Sequence, residues 1–478
     1  MSDFLKESRT DNGDAASRLG TEPVGALLLR FSVPAIAGML VNALYNVVDR
    51  IFVGRGVNEI ALGGLSLVLP LMTISMAFAM LFGFGAANMI SMRLGQGRRE
   101  EAERTLNHCF FLLLGTGALL TLLGLLFLEP LVSRLGAREG SGAVNYARSY
   151  LRIILYGQVF FMLGFGFSHC TRSQGFPLVS MIGMFIGAGT NVILDALFIF
   201  VFRWGVEGAA WATVISQGAS GIWLLWFNAA PGAVIRLRLR SFIPSAEIVR
   251  LIMRFGSAQF LLQFMMSAVQ FLFNASMDWY GAEALGVPDG GDVALSGFNI
   301  VMTVMLLVMM PVFGINQGAQ PLLGYNYGAK RFDRVIAAYL RAALAATGIC
   351  ILGFLAVVLF PQAVVDLFAP RGSAALRGFT PWAMRTTMLL LPLSGFQIVS
   401  ANVFVATGRP ALSIILSMLR QCLILIPCIL LFGRVWGLHG VIAAVPVAEG
   451  FAFLLTAFMI ALELKKLSAA GGGGTKAS

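Results

Sequence analysis

Four ionisable side chains interrupt stretches of this chain that are otherwise apolar: Asp49, Asp195, Arg420 and Glu449. A charge among so many apolar residues is costly to hold, so each of them marks a pathway or a pair. Asn191 stands four residues before Asp195 and shares its helical face. Together with Thr213, these residues supply two carboxylates, an amide oxygen and a hydroxyl. Such a set can share a proton or hold a hard cation, with Na+ as the metal alternative. A second reading of Asp49 is an interfacial residue beside Arg50. Arg420 and Glu449 read equally as a buried ion pair or as groups that touch a substrate.

The elements that position these groups follow from composition. The chain has 478 residues, 58% of them hydrophobic and 12% charged. Soluble domains carry about 25% charged residues, and no soluble core hides this much apolar side chain. A membrane span needs about 20 mostly apolar residues, and Phe110–Leu128, Leu178–Phe202 and Ala411–Phe432 are such runs. Short strands of alternating polarity are absent, which argues against a membrane barrel. The net charge of +11 reflects Lys and Arg gathered in cytoplasmic loops, not a nucleic-acid partner. The five Cys (109, 170, 350, 422, 428) and three His (108, 169, 439) lack metal-ligand spacing.

The pattern predicts an all-α polytopic membrane protein with twelve helices. They lie near 27–53, 60–88, 105–128, 147–171, 177–202, 207–229, 248–276, 293–318, 335–360, 383–407, 411–432 and 438–463. Residues 1–22 form a polar cytoplasmic tail without a cleavable signal. Residues 23–229 and 248–463 form two pseudo-symmetric six-helix bundles, 230–247 a cytoplasmic linker and 464–478 a disordered tail. The halves echo one another. Gly85-Ala86 through Gly95 matches Gly318-Ala319 through Gly328, and Gly175 matches Gly408, all at an offset of 233 residues. Gly205 matches Gly437 at 232. Six spans per half is an even number, so the symmetry axis runs along the membrane normal. A rise of about 1.5 Å per residue puts Asp195 roughly 27 Å from the cytoplasmic end of its helix and Thr213 roughly 10 Å below the outer surface. Asp49 reaches a similar depth, so Asp49, Asn191, Asp195 and Thr213 can converge in the outer part of the first half.

Other features bear on a cleft. Gln259, Gln263, Ser267, Gln270 and Asn274 form a polar stripe on the seventh helix, facing a wet cleft or a partner helix. Met302 and Met305 on the eighth suit an adaptable binding surface, or pack as ordinary core. Pro34, Pro70, Pro311, Pro392, Pro427 and Pro446 fall in helices, where they serve as hinges or as static bends.

At these residues the chain resembles the multidrug and toxic compound extrusion (MATE) family, across about residues 23–463. The telling pieces are Pro34 with Tyr45-Asn46-Val47-Val48-Asp49, Arg93-Leu94-Gly95, Gln174-Gly175-Phe176-Pro177, Asn191 through Asp195, and Gly208 through Thr213. Gln317-Gly318-Ala319-Gln320-Pro321 with Gly324 through Ala329 is similar to the branch that includes the MepA-like exporters. The resemblance implies two six-helix bundles, alternating access and antiport driven by protons or sodium. Its coupling roles fall on Asp49, Asn191, Asp195 and Thr213. Tyr45, Gln259, Gln263, Gln270, Met302 and Met305 are assigned to the substrate cleft. Pro34, Pro311, Arg420 and Glu449 take structural or gating roles. The family's other branch, with acids in helices 7 and 10, does not fit, which favours H+ over Na+.

The expectation is a non-enzymatic, cofactor-free exporter of small amphipathic, often cationic, organic compounds. It is expected to be monomeric, among the lipids of a bacterial inner membrane, with both termini cytoplasmic. Rival readings are a lipid or lipid-linked precursor flippase, an exporter of an endogenous metabolite, and a membrane-embedded transferase. The first wants more intramembrane bases than Arg420 alone. The last wants clustered His or Asp motifs that this sequence lacks.

Overall fold

A computed structural model describes residues 14–57, 59–134, 142–238, 242–287, 289–370 and 372–472. Residues 1–13 of the N-terminal tail and 473–478 of the C-terminal tail lie outside the described residues. Among the described residues the regular structure is helical and contains no strand.

The first half comprises α1 (Asp14–Thr21), α2 (Val24–Gly56), α3 (Glu59–Gly95), α4 (Arg99–Leu126), α5 (Leu128–Arg134), α6 (Gly142–Ser173), α7 (Pro177–Asp195) and α8 (Gly205–Ala229). The second comprises α9 (Ala246–Ala284), α10 (Gly290–Gly328), α11 (Phe332–Leu359), α12 (Pro361–Phe368), α13 (Ala374–Thr387), α14 (Leu391–Ala406), α15 (Pro410–Met418) and α16 (Ile426–Gly472). A π-helical turn, Ala196–Val201, extends α7, and another, Leu419–Leu425, joins α15 to α16.

Among the described residues nine helical stretches are long and apolar enough to cross a membrane, and ten with a bent pair. That pair is α13 and α14, which meet at 46° just before Pro392. The tenth span is therefore broken, and its first arm begins nine residues earlier than the sequence pattern places it. One of the nine stretches, Pro410–Ala470, holds two spans, because Gly437 takes φ 57° and ψ −138°, outside any helix. A Cβ would strain that turn, so glycine is the residue that permits it. α8 completes the twelve-span architecture. The last helix continues to Gly472, through the first part of the segment read as a disordered tail. Leu464, Lys465, Lys466, Leu467 and two alanines are good helix formers. Leu344, Leu352, Leu355 and Leu359 make an exposed apolar face on α11, as lipid contact demands.

The internal repeat is written in the backbone. Gly205 and Gly437 both have positive φ, as do Gly175 and Gly408, and Gly97 and Lys330. Each pair is separated by 232 or 233 residues.

By contacts the chain forms two compact units. The first runs to Phe260 and includes Gln320–Lys330; the second holds Leu261–Ala319 and everything from Arg331. The division cuts α9 and α10, so the start of α9 and the end of α10 belong with the helices of the first half. Inside that first unit, close-packed glycines explain the grouping. A methyl group on Gly256 would overlap the Leu81 carbonyl, and one on Gly328 the Met92 carbonyl.

Candidate ion and substrate site

Within the first unit α2 packs on α7, α6 on α8, and α7 on α8. Pro177 opens α7 at its first turn, where a missing N–H is harmless. The helix ends at Asp195, and the π-helical turn begins at the next residue. Turns of this kind are frequent at functional sites. The ring of Phe200 in that turn meets Phe52 of α2 edge-on, with centroids 5.4 Å apart. Phe198 packs on Trp204, with centroids 4.8 Å apart. Val53, Tyr150, Ile154, Ile199, Ala210 and Val214 wrap the region in an apolar core.

Inside this wrapping the carboxyl groups of Asp49 and Asp195 are within hydrogen-bonding reach of one another. Asp195 is 0% exposed. Both of its Oδ atoms, Asp49 Oδ1 and Asn191 Oδ1 are shut from solvent without a donor. Asn191 Nδ2 points at Thr213 Oγ1, 3.5 Å away, the outer limit of a hydrogen bond. The buried side chain of Tyr150 lies close to Asp49, Thr213, Tyr45 and Asp195. The structure thus gathers Asp49, Asn191, Asp195 and Thr213, with Tyr45 at the margin.

Tyr150, on α6, was missed from sequence. Its flanks in Tyr150-Leu151-Arg152-Ile153-Ile154 read as packing. The one available signal is that a buried phenol needs a hydrogen-bond partner.

Two ionised carboxylates accept but never donate. Side by side, and with three of their buried oxygens lacking an N–H or O–H from the protein, they need something positive between them. A proton satisfies that need, as does a small hard cation that also uses Asn191 Oδ1 and the hydroxyl oxygens. Among the described residues no group of three or more His, Cys, Asp and Glu is poised to hold a metal ion.

The residues assigned to a cleft are more dispersed. Gln259 belongs to the first unit, and Gln263, Gln270, Met302 and Met305 to the second. Gln270 Nε2 donates to Asn274 Oδ1 at 2.9 Å on the exposed side of α9. Ser267 Oγ donates to the Gln263 carbonyl at 3.2 Å. Met302 and Met305 are half-buried on α10, beside exposed Asn299 and Thr303. Pro34 lies inside α2, and Pro311 within the span of α10. Arg420 Nη1 donates to Glu449 Oε1 at 3.3 Å. Gln397 Nε2 donates to Glu449 Oε2 at 2.9 Å, so these groups form an ion pair braced by an amide.

The MatE family model matches residues 34–197 and 260–431, most of both halves. The chain belongs to this family of membrane transporters. The multidrug export protein MepA of Staphylococcus aureus (strain NCTC 8325 / PS 47) is 27% identical over 448 residues, which are 93% of this chain and 95% of the relative. The MepA of Staphylococcus haemolyticus (strain JCSC1435) is 25% identical over 435 residues, 91% of this chain and 92% of that one. Among solved structures, the outward-facing conformation of a multidrug resistance MATE family transporter of the MOP superfamily superposes with a TM-score of 0.87 at 26% identity. It covers 95% of this chain and 98% of its own. In this MATE chain the acid pair therefore lies in a transporter scaffold, not in an enzyme.

Proposed function

We propose that this MATE chain exports small amphipathic organic compounds, often cationic, in exchange for protons. The observation that carries the reading is the Asp49–Asp195 pair, in which three carboxylate oxygens are shut from solvent without a protein donor. The multidrug export proteins that match over nine-tenths of the chain support the substrate class. The reading places the chain as a monomer in the bacterial cytoplasmic membrane, with both termini inside.

A proton taken up from outside lets the two carboxyls close on each other. Its release leaves two like charges facing one another in an apolar wrapping, which drives α2 and α7 apart. Proton binding thus favours one packing of α2 over another. That differential affinity is what coupling requires, because a ligand that binds both states equally shifts nothing. Substrate admitted from the cytoplasmic side is displaced when α2 repacks, and Pro34 inside α2 supplies a place to bend.

The test is efflux from proteoliposomes under separately imposed proton and sodium gradients. A proton gradient alone should drive a cationic dye, and Asp195→Asn should abolish transport while the protein stays folded. Full efflux by that variant at normal expression would sink the reading. Drive by sodium alone would replace the ion and leave the site.

A further inference from the structure

The ion pair of the second half takes no part in the proton mechanism, and its geometry is lopsided. Glu449 is fully engaged. Gln397 donates to its Oε2 at 2.9 Å and to its backbone carbonyl at 3.1 Å, and Arg420 reaches its Oε1 at 3.3 Å. Arg420 uses only that one donor among the described residues, while a guanidinium carries five N–H groups in a planar fork. Its side chain is 20% exposed, and that of Glu449 is 12% exposed.

Arg420 lies ten residues after Pro410, which is roughly 15 Å into its span. A guanidinium at that depth faces a water-filled space or the bundle interior, not hydrocarbon. It sits in the π-helical turn Leu419–Leu425, a distortion frequent where a helix presents a functional group.

The first half has nothing of the kind. Subtracting the repeat offset, 233 for Gln397 and Arg420 and 232 beyond Gly437 for Glu449, gives Gly164, Gly187 and Gln217. These positions also adjoin. A Cβ on Gly164 would lie 3.6 Å from the Gln217 carbonyl, and one on Gly187 3.7 Å from that of Ser216. Close packing there needs no charge, so the second half carries an ion pair that the repeat scaffold can do without.

We propose that the open edge of Arg420 is a docking point for the carboxylate of an anionic or zwitterionic substrate. Glu449, braced by Gln397, then occupies the other edge of the fork and competes with the substrate carboxylate for it. The carboxylate accepts two parallel N–H bonds, the geometry that arginine matches best. This deepens the export reading by adding zwitterions and anions to the cationic class, and it rests on that reading.

The test uses purified full-length protein and two dyes, a cationic rhodamine methyl ester and the corresponding zwitterionic free acid. Binding of each is followed by fluorescence polarisation. Arg420→Gln should weaken the acid relative to the ester by about tenfold, the loss of one charged hydrogen-bonded contact. Glu449→Gln frees more of the fork and should shift the ratio the other way, toward the acid. Arg420→Lys keeps the charge and the pair, so the protein stays folded, but loses the planar fork. It should move the ratio in the direction of Arg420→Gln by about threefold. A ratio unmoved by both Arg420 variants, or Arg420 and Glu449 variants that shift it the same way, overturns the proposal. Efflux of the ester from vesicles tests the export reading separately, because the binding ratio is read without transport.

Discussion

Gly95 and Gly328 stand at matched positions of the repeat and are each pressed against the other's helix. A methyl group on Gly95 would overlap the carbonyl of Tyr325, and one on Gly328 the carbonyl of Met92. Met92 and Tyr325 are themselves separated by 233 residues. The contact between α3 and the end of α10 is thus two-fold symmetric, like an isologous dimer interface built within one chain. Small residues that let membrane helices approach backbone to backbone are the usual glue of such crossings.

Gly328→Ala should therefore push α10 away from α3. The neighbour at fault is backbone, which cannot rotate aside. The expected outcome is correct insertion with transport reduced at least tenfold, and Gly95→Ala should behave alike because the contact is reciprocal. A cysteine pair placed at Met92 and Tyr325 offers the check. Its cross-linking yield should fall in Gly328→Ala, and an unchanged yield together with full transport would contradict the packing argument.

Tyr150 carries the second prediction. Its side chain lies close to Asp49, Asp195 and Thr213, beside carboxylate oxygens of Asp195 that are shut from solvent. Tyr150→Phe keeps the ring in place and removes only the O–H. The ring carries the packing, and one neutral polar contact is worth no more than about 1 kcal/mol, so fold and insertion should survive. Efflux driven by a proton gradient should slow by roughly three- to tenfold, because the acids lose a neighbouring polar group. Phe at this position with wild-type efflux at every gradient would make Tyr150 a packing residue only.

The sequence carried the acid site through simple geometry. Asn191 and Asp195 are four apart, and counting residues inward from the turn at Gly205 sets the depth of Thr213. Tyr150 escaped because a lone tyrosine among leucine and isoleucine looks like core, and its neighbour Thr213 comes from a helix more than sixty residues later. The two π-helical turns were equally illegible, since they fall in runs apolar on nearly every face, where the phase shift of an inserted residue has no amphipathic pattern to disturb. Arg377, Pro381 and Arg385 disguised α13 as loop, because polar side chains at a span's end break the apolar run without breaking the helix. Buried partners come from tertiary packing, which no single window of sequence holds.

In the second half, Glu463 is 3% exposed and its carboxylate is bonded by Arg409 Nη1. Removing the base strands a buried charge, a change that costs about 3–5 kcal/mol. Arg409→Ala should lower the melting temperature of purified protein by several degrees. Adding Glu463→Gln should recover most of the loss, since the stranded charge is then gone. Melting curves of the single and double variants decide the matter. A double variant no more stable than Arg409→Ala would show that packing, not charge, holds this end of the second half.

The linker after α8 is strapped to α4 by side chains whose roles the geometry defines. Asn107 Nδ2 donates to the Arg238 carbonyl at 3.3 Å, and its Oδ1 accepts from the Arg238 N–H at 3.0 Å. One residue on, His108 Nδ1 donates to the Arg104 carbonyl at 2.8 Å while Nε2 accepts the Ser245 N–H at 2.9 Å. Glu103 pairs with the Arg238 guanidinium at 2.9 Å. Asn107→Ala deletes both bonds to one backbone unit, each worth about 1 kcal/mol. The strap should then open locally while the helices stay packed, because local opening needs far less free energy than global unfolding. Limited trypsin digestion reads this directly. Cleavage at Arg236 and Arg238 should quicken about tenfold in Asn107→Ala, with the melting temperature nearly unchanged. Equal cleavage rates in both proteins would place the hold on the linker in the His108–Ser245 bond, and His108→Ala should then show the acceleration instead.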